Sequence, residues 1–251
     1  GRPIREYDEN IPSNLTAEEI LIRSGNIGSV RIAQKIGIEK FRSFLKKIGI
    51  LEKIDFELEE VGTPLPIKWG KCKLATVSFG HGITTTILQL AKGYSIISNG
   101  GYEIKPTLIK QKNINLKKKK LVNSKTSKEI NFALRKIVST KIGTANQANV
   151  SGYEVGGKTG TAQKSIKGIY SKEKINTFVG VFPTSEPMFV IAVMLDEPQI
   201  NENYIYEYRD GTGFRLMGTP RNTAGWTTVE ITGKILEKIG PILATKYMEF
   251  N

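Results

Sequence analysis

Between Gly156 and Gln163 the chain reads Gly-Gly-Lys-Thr-Gly-Thr-Ala-Gln, a cation and two hydroxyls on a line whose glycines leave the backbone bare. Side chains alternate along an extended chain, so Lys158 and Gly160 fall on one face and Thr159 and Thr161 on the other, unless the strand twists at its glycines. An ammonium, two hydroxyls and an open backbone suit an anionic, peptide-like ligand. Gly156, Gly157 and Gly160 let a second backbone approach closely.

The same residues fit a second pattern. Gly152, four residues and then Gly157-Lys158-Thr159 spell the phosphate-binding loop of nucleotide hydrolases. Such a loop needs an apolar strand before its first glycine and a helix directly after the Lys-Thr, whose amides cradle phosphate. Residues 144–151 are polar, and the run on to Lys174 carries no helical apolar stripe, so that run reads as a hairpin or loop. The segment from Phe189 to Glu197 imitates the acidic magnesium strand of ATPases, and equally reads as a buried strand ending in a polar loop. A strand from about Val155 to Gln163, antiparallel to Thr177 to Val181, is therefore expected, and a helix starting at Thr159 would favour the nucleotide hydrolase.

Other reactive residues are few. Ser24-Gly25-Asn26 lies in a turn between two helices, where a polar turn is ordinary loop chemistry when taken alone. His81, between Gly80 and Gly82 at the entrance of an apolar helix, has no acidic or nucleophilic neighbour and reads as structural. One cysteine, Cys72, excludes an intrachain disulfide and, with a single histidine, leaves no zinc ligand set, so neither metal nor cofactor is expected. The net charge of +13, from 37 basic and 24 acidic residues, would suit an anionic partner. The lysines are scattered, however, and the dense run Lys117 to Lys120 reads as a solvated hairpin tip, so no nucleic acid is expected. No apolar run approaches a bilayer span, and Gly1-Arg2-Pro3-Ile4-Arg5 reads like the middle of a domain, so the chain is expected to be part of a longer protein.

Positioning elements follow from capping and periodicity. Thr16 to Glu19 fits a capping box opening a short helix through Ile22; a second helix runs from Ile27 to Gly37 and a third from Phe41 to Gly49. Residues 51–79 read as irregular. An apolar helix follows from Ile83 to Ile97, then a strand from Ile104 to Ile109, and a helix capped by Thr126 to Glu129. Strands from Tyr153 to Ala162, Ile175 to Pro183 and Met188 to Leu195 make an antiparallel sheet, covered by a helix from Thr227 to Ile239. The fold class is α+β, an antiparallel sheet with helices packed on it.

Together these pieces resemble the transpeptidase domain of penicillin-binding proteins, the serine enzymes that cross-link peptidoglycan, in the group that includes the elongation and division enzymes. Ser24-Gly25-Asn26 looks like the family's Ser-x-Asn motif and Lys158-Thr159-Gly160 like its Lys-Thr-Gly motif. Phe79 to Ile83 through Gln89-Leu90-Ala91 to Asn99-Gly100-Gly101 looks like the helix between them, and Ala224-Gly225-Trp226 is also similar. The family's Ser-x-x-Lys, whose serine attacks the substrate, should lie upstream of Ser24. Ser43 with Lys46 and Ser171 with Lys174 match the spacing in the wrong order, and both are rejected. The resemblance implies that residues 1–251 are the C-terminal part of a single transpeptidase domain, lacking the nucleophile.

It implies acyl transfer from a D-alanyl-D-alanine stem peptide, which penicillins mimic. Lys158 would pair with the terminal carboxylate and keep the motif lysine a proton acceptor, while Thr159 and Thr161 donate hydroxyls to that carboxylate. The Thr161 amide would complete an oxyanion hole, Ser24 relay a proton to the leaving group and Asn26 hold the peptide, with Ser24 and Lys158 facing one cleft. The implied partners are peptidoglycan stem peptides, β-lactams and divisome or elongasome membrane proteins, and the implied location is the extracytoplasmic side of the cytoplasmic membrane. A carboxypeptidase or β-lactamase shares these motifs. A catalytically inactive peptide- or partner-binding relative, and the nucleotide hydrolase, are the readings from other classes.

Overall fold

The computed structural model describes residues 3–59, 61–111, 119–166, 169–207, 215–217 and 222–247. It forms two units, Gly1–Asn131 and Phe132–Asn251. In the first, α1 (Ala17–Arg23), α2 (Asn26–Ile36) and α3 (Ile38–Lys47) follow one another, then α4 (Lys71–Val77) and α5 (Ile87–Ser98). The helix α6 (Ser124–Ser139) spans the boundary. In the second unit come β1 (Gly156–Ile166), β2 (Ile169–Phe182), β3 (Phe189–Asp196), the short pair β4 (Ile205–Glu207) and β5 (Arg215–Met217), and α7 (Thr228–Tyr247).

The capping box forms as expected: Glu19 N–H donates to Thr16 Oγ1 at 3.2 Å and Thr16 N–H to Glu19 Oε2 at 2.8 Å. α2 ends at Gly37, whose φ of 83° is open to glycine. A small core of Ile48, Ile50, Ile96 and Leu121 is flanked by Leu45 and Leu90. Gln89, 1 % exposed, closes a second capping box with Thr86 and donates from Nε2 to the carbonyls of Ile50 at 3.2 Å and Glu52 at 2.7 Å. That tethers the irregular segment after α3 to α5.

Four expectations in this unit are corrected. Residues 51–79 are not wholly irregular, because α4 buries Leu74 and Val77 on one face; seven residues are too few to display a period. α5 begins at Ile87 and not at Ile83, since Gly82 is left-handed at φ 66° and Thr86 is the cap. No strand spans Ile104 to Ile109. Pro106 interrupts the run, and among the described residues pairing shrinks to a single bridge, Tyr102 to Lys120. α6 starts at Ser124, upstream of the expected cap, with Lys125 N–H donating to Asn123 Oδ1 at 2.8 Å. The expected lysine tip at 117–120 lies outside the described residues at Lys117 and Lys118.

The second unit holds the expected antiparallel sheet, in the order β1-β2-β3. Lys158 pairs with Val179, Gly160 with Thr177 and Thr161 with Asn176, and β2 continues from Val179 to Ala192 of β3. Phe178 and Phe182 of β2, which share one face of the strand, and Val229 and Leu236 of α7 are buried, as is Val181 on the opposite face of the strand. α7 runs past its expected end at Ile239, through Pro241, to Tyr247. The fold is α+β, and no helix among the described residues is long and apolar enough to cross a membrane.

Candidate active site

Thr159 lies mid-strand and no helix opens after it, so the nucleotide-hydrolase reading of Gly152 to Thr159 fails. The glycines explain why a strand forms here. A Cβ on Gly157 would stand 2.4 Å from the Phe178 ring and 2.6 Å from the Val179 carbonyl oxygen, and one on Gly156 would stand 2.8 Å from the Arg135 backbone nitrogen. Bare backbone thus lets β1 sit against both β2 and the C-terminal half of α6. Gly160 differs, because its Cβ would meet nothing nearer than 3.9 Å and the position is exposed. The surface above it is clear for a ligand.

Lys158 donates from Nζ to the Thr159 carbonyl at 3.0 Å. The residue is half-buried, and desolvation lowers its pKa to about 8. Thr159 Oγ1 shares a hydrogen bond with Thr144 Oγ1 at 2.9 Å, and Thr161 Oγ1 accepts from Ala224 N–H at 2.9 Å. Accepting uses a lone pair, so the Thr161 O–H stays available to donate, as does that of Thr159 when Thr144 is the donor. Beneath them Asn176, fully buried, donates from Nδ2 to Asn222 Oδ1 at 2.9 Å and Thr227 Oγ1 at 3.0 Å. These bonds fasten the 3-10 turn Ala224–Trp226 to the strand. Thr144 and the Ala224 amide were not legible in the sequence, for they act across 15 and 63 residues.

In the first unit Ser24 closes α1 in the left-handed conformation, φ 58°, and Asn26 is the first residue of α2. The Asn26 Nδ2 donates to the Arg5 carbonyl at 2.8 Å. Ser24 and Asn26 thus belong to Gly1–Asn131, while Lys158, Thr159, Gly160 and Thr161 belong to Phe132–Asn251.

The lysines beside the rejected serines are engaged elsewhere. Lys46, three residues after Ser43, pairs with Glu52 at 3.2 Å, and Lys174, three after Ser171, donates to the Asn222 carbonyl at 3.0 Å. His81 packs against Phe79, ring centroids 5.1 Å apart, between the left-handed Gly80 and Gly82. A cavity of about 230 Å³ is lined by Leu195, Trp226, Thr227 and Glu230 and does not include the glycine strand. Among the described residues no group of His, Cys, Asp and Glu could hold a metal ion.

The profile of the penicillin-binding protein transpeptidase domain matches residues 1–213. The chain belongs to that family. It is 30 % identical over 256 residues to a probable peptidoglycan D,D-transpeptidase FtsI of Caulobacter vibrioides, covering 98 % of this chain and 41 % of that protein. It is 34 % identical over 196 residues to stage V sporulation protein D of Bacillus subtilis, covering 72 % of this chain and 30 % of that protein. The chain therefore spans less than half the length of these relatives. The apo transpeptidase domain of Burkholderia pseudomallei penicillin-binding protein 3 superposes with a TM-score of 0.76 at 26 % identity, over 94 % of this chain and 66 % of that one. The fold is also that of Mycobacterium tuberculosis penicillin-binding protein 3 complexed with ampicillin, with a TM-score of 0.78 at 22 % identity over 99 % and 55 % of the two chains.

Proposed function

We propose that this chain is the C-terminal part of a peptidoglycan D,D-transpeptidase domain that transfers the acyl group of a D-alanyl-D-alanine stem peptide to an amine of a neighbouring strand and is acylated by β-lactams. The observation that carries the reading is the Lys158-Thr159-Gly160-Thr161 stretch, set on an antiparallel strand with its ammonium desolvated, in a chain of this family. Lys158 pairs with the substrate carboxylate, and Thr159 and Thr161 donate their hydroxyls to it. The Thr161 amide contributes to the oxyanion hole, Ser24 passes the proton toward the leaving group and Asn26 holds the peptide. The nucleophile is the serine of a Ser-x-x-Lys helix ahead of Gly1. By the same reading the protein is anchored in the cytoplasmic membrane, acts outside it and works with elongation or division proteins.

The test is covalent labelling by a fluorescent penicillin of a protein that carries this chain behind its Ser-x-x-Lys helix. Labelling is expected, and Lys158→Ala lowers its rate by about a hundredfold, the scale of losing a charged contact at a reacting centre. An unlabelled wild-type protein would point to the inactive relative.

A further inference from the structure

The turn that carries Ser24 and Asn26 is held by a carboxylate that the motif does not announce. The N-cap of α2 is Gly25, which has no side chain to accept from the first amides. Glu6, 20 residues before Asn26, does so instead: its Oε2 accepts from Asn26 N–H at 2.6 Å and its Oε1 from Ile27 N–H at 2.9 Å. Both oxygens are used, at the helix end that favours negative charge. The adjacent Arg5 carbonyl accepts from Asn26 Nδ2 at 2.8 Å, and because a carbonyl only accepts, that bond fixes which end of the amide is nitrogen.

From the other side, Gly25 N–H donates to Ile20 O at 2.9 Å and Ser24 N–H to Leu21 O at 3.3 Å, closing α1. Ser29 Oγ donates to the Gly25 carbonyl at 2.6 Å. Ser24, at φ 58°, sits between these anchors in a conformation that side chains other than glycine rarely adopt unless their surroundings hold them there. Without the Glu6 carboxylate, the segment loses both backbone anchors at the start of α2 and keeps only the Arg5 carbonyl bond to the Asn26 side chain. The Asn26 amide is then freer to rotate and Ser24 to relax toward right-handed backbone.

We propose that Glu6 is a positioning residue that, with the Arg5 carbonyl, holds Ser24 and Asn26 in the arrangement acyl transfer uses. This rests on the transpeptidase reading above. The α1 capping box supplies a matched control, because Glu19 also caps a helix of this unit but its bonds to Thr16 lie at the far end of α1 from Ser24. Glu6→Ala, Glu6→Gln and Glu19→Ala are compared in the protein carrying the Ser-x-x-Lys helix, reading the melting temperature, the non-covalent affinity for a β-lactam and the first-order acylation rate. Both alanine variants are expected to melt somewhat lower. Glu6→Ala alone slows acylation, by about tenfold or more, and Glu6→Gln, which keeps one acceptor oxygen, recovers part of that rate.

A Glu6→Ala protein that melts lower yet acylates within about twofold of wild type would overturn the proposal, leaving Glu6 a helix cap and nothing more. If the wild-type protein is not acylated at all, the transpeptidase reading fails first. Hydrogen exchange in the same protein, carrying the upstream helix, then decides the anchoring by itself. Exchange at Asn26 and Ile27 about tenfold faster in Glu6→Ala but not in Glu19→Ala supports it, and unchanged exchange refutes it.

Discussion

Lys158 is the residue on which charge and position meet. Desolvation lowers its pKa from 10.5 to about 8, so in the free protein its ammonium is lost as pH rises from about 7 to about 9. On the proposed reading, a carboxylate ligand loses its partner over that window. The non-covalent affinity for a carboxylate-bearing β-lactam is therefore expected to fall by about tenfold across it, while Lys158→Arg, whose guanidinium stays charged, flattens the profile. A wild-type affinity that does not change over this range would remove Lys158 from carboxylate recognition. Stability moves in the opposite direction. The folded pKa lies below the unfolded value, so between about 8 and 10.5 the unfolded chain binds more protons and stability rises with pH; below about 8 the cost of the buried ammonium is fully present. Urea unfolding of wild type and Lys158→Met at the two ends of the window is expected to show that rise in the wild type alone.

At the scale of elements, glycine does two separate jobs in β1. Gly157 has no room for a Cβ, since one neighbour would be the Val179 backbone carbonyl, which cannot swing away as a side-chain tip can. Gly157→Ala is expected to cost about 3 kcal/mol in urea unfolding, the scale of overpacking a buried contact. Gly160→Ala, with nothing nearer than 3.9 Å, is expected to unfold within about 0.5 kcal/mol of wild type while slowing β-lactam acylation, because the added methyl stands where the ligand backbone would lie. Equal stability losses would mean that both glycines serve packing alone. The strand itself was legible because alternation and hairpin spacing are local signals, and the Thr16 to Glu19 capping box was legible for the same reason. What escaped depends on distant partners. α7 was expected to end at Ile239 but continues through Gly240 and Pro241, and a Cβ on Gly240 would strike the Tyr153 ring at 2.5 Å, so that glycine serves packing of α7. Glu6 was invisible for the same reason, since nothing near it in sequence reveals the helix it caps.

At the scale of the whole molecule, the question is whether the residues of this chain can capture a β-lactam covalently by themselves. Capture needs a serine hydroxyl beside an amine that takes its proton, and in the proposed mechanism a charge at Lys158 only positions the drug's carboxylate. Ser43 lies on the exposed side of α3, with Lys46 drawn to Glu52. Ser171 donates its hydroxyl to the Lys164 carbonyl at 3.3 Å, and Lys174 is engaged by the Asn222 carbonyl at 3.0 Å. Neither pair has the geometry of an activated nucleophile. Residues 1–251 expressed by themselves are therefore expected to stay unlabelled by a fluorescent penicillin, and the same residues behind a Ser-x-x-Lys helix to be labelled on that helix. Mass spectrometry of the short chain decides the point. An acyl adduct on Ser43 or Ser171 would make that residue the nucleophile and overturn the proposed upstream serine, whereas an unmodified short chain beside a modified long one supports placing the covalent step on that serine.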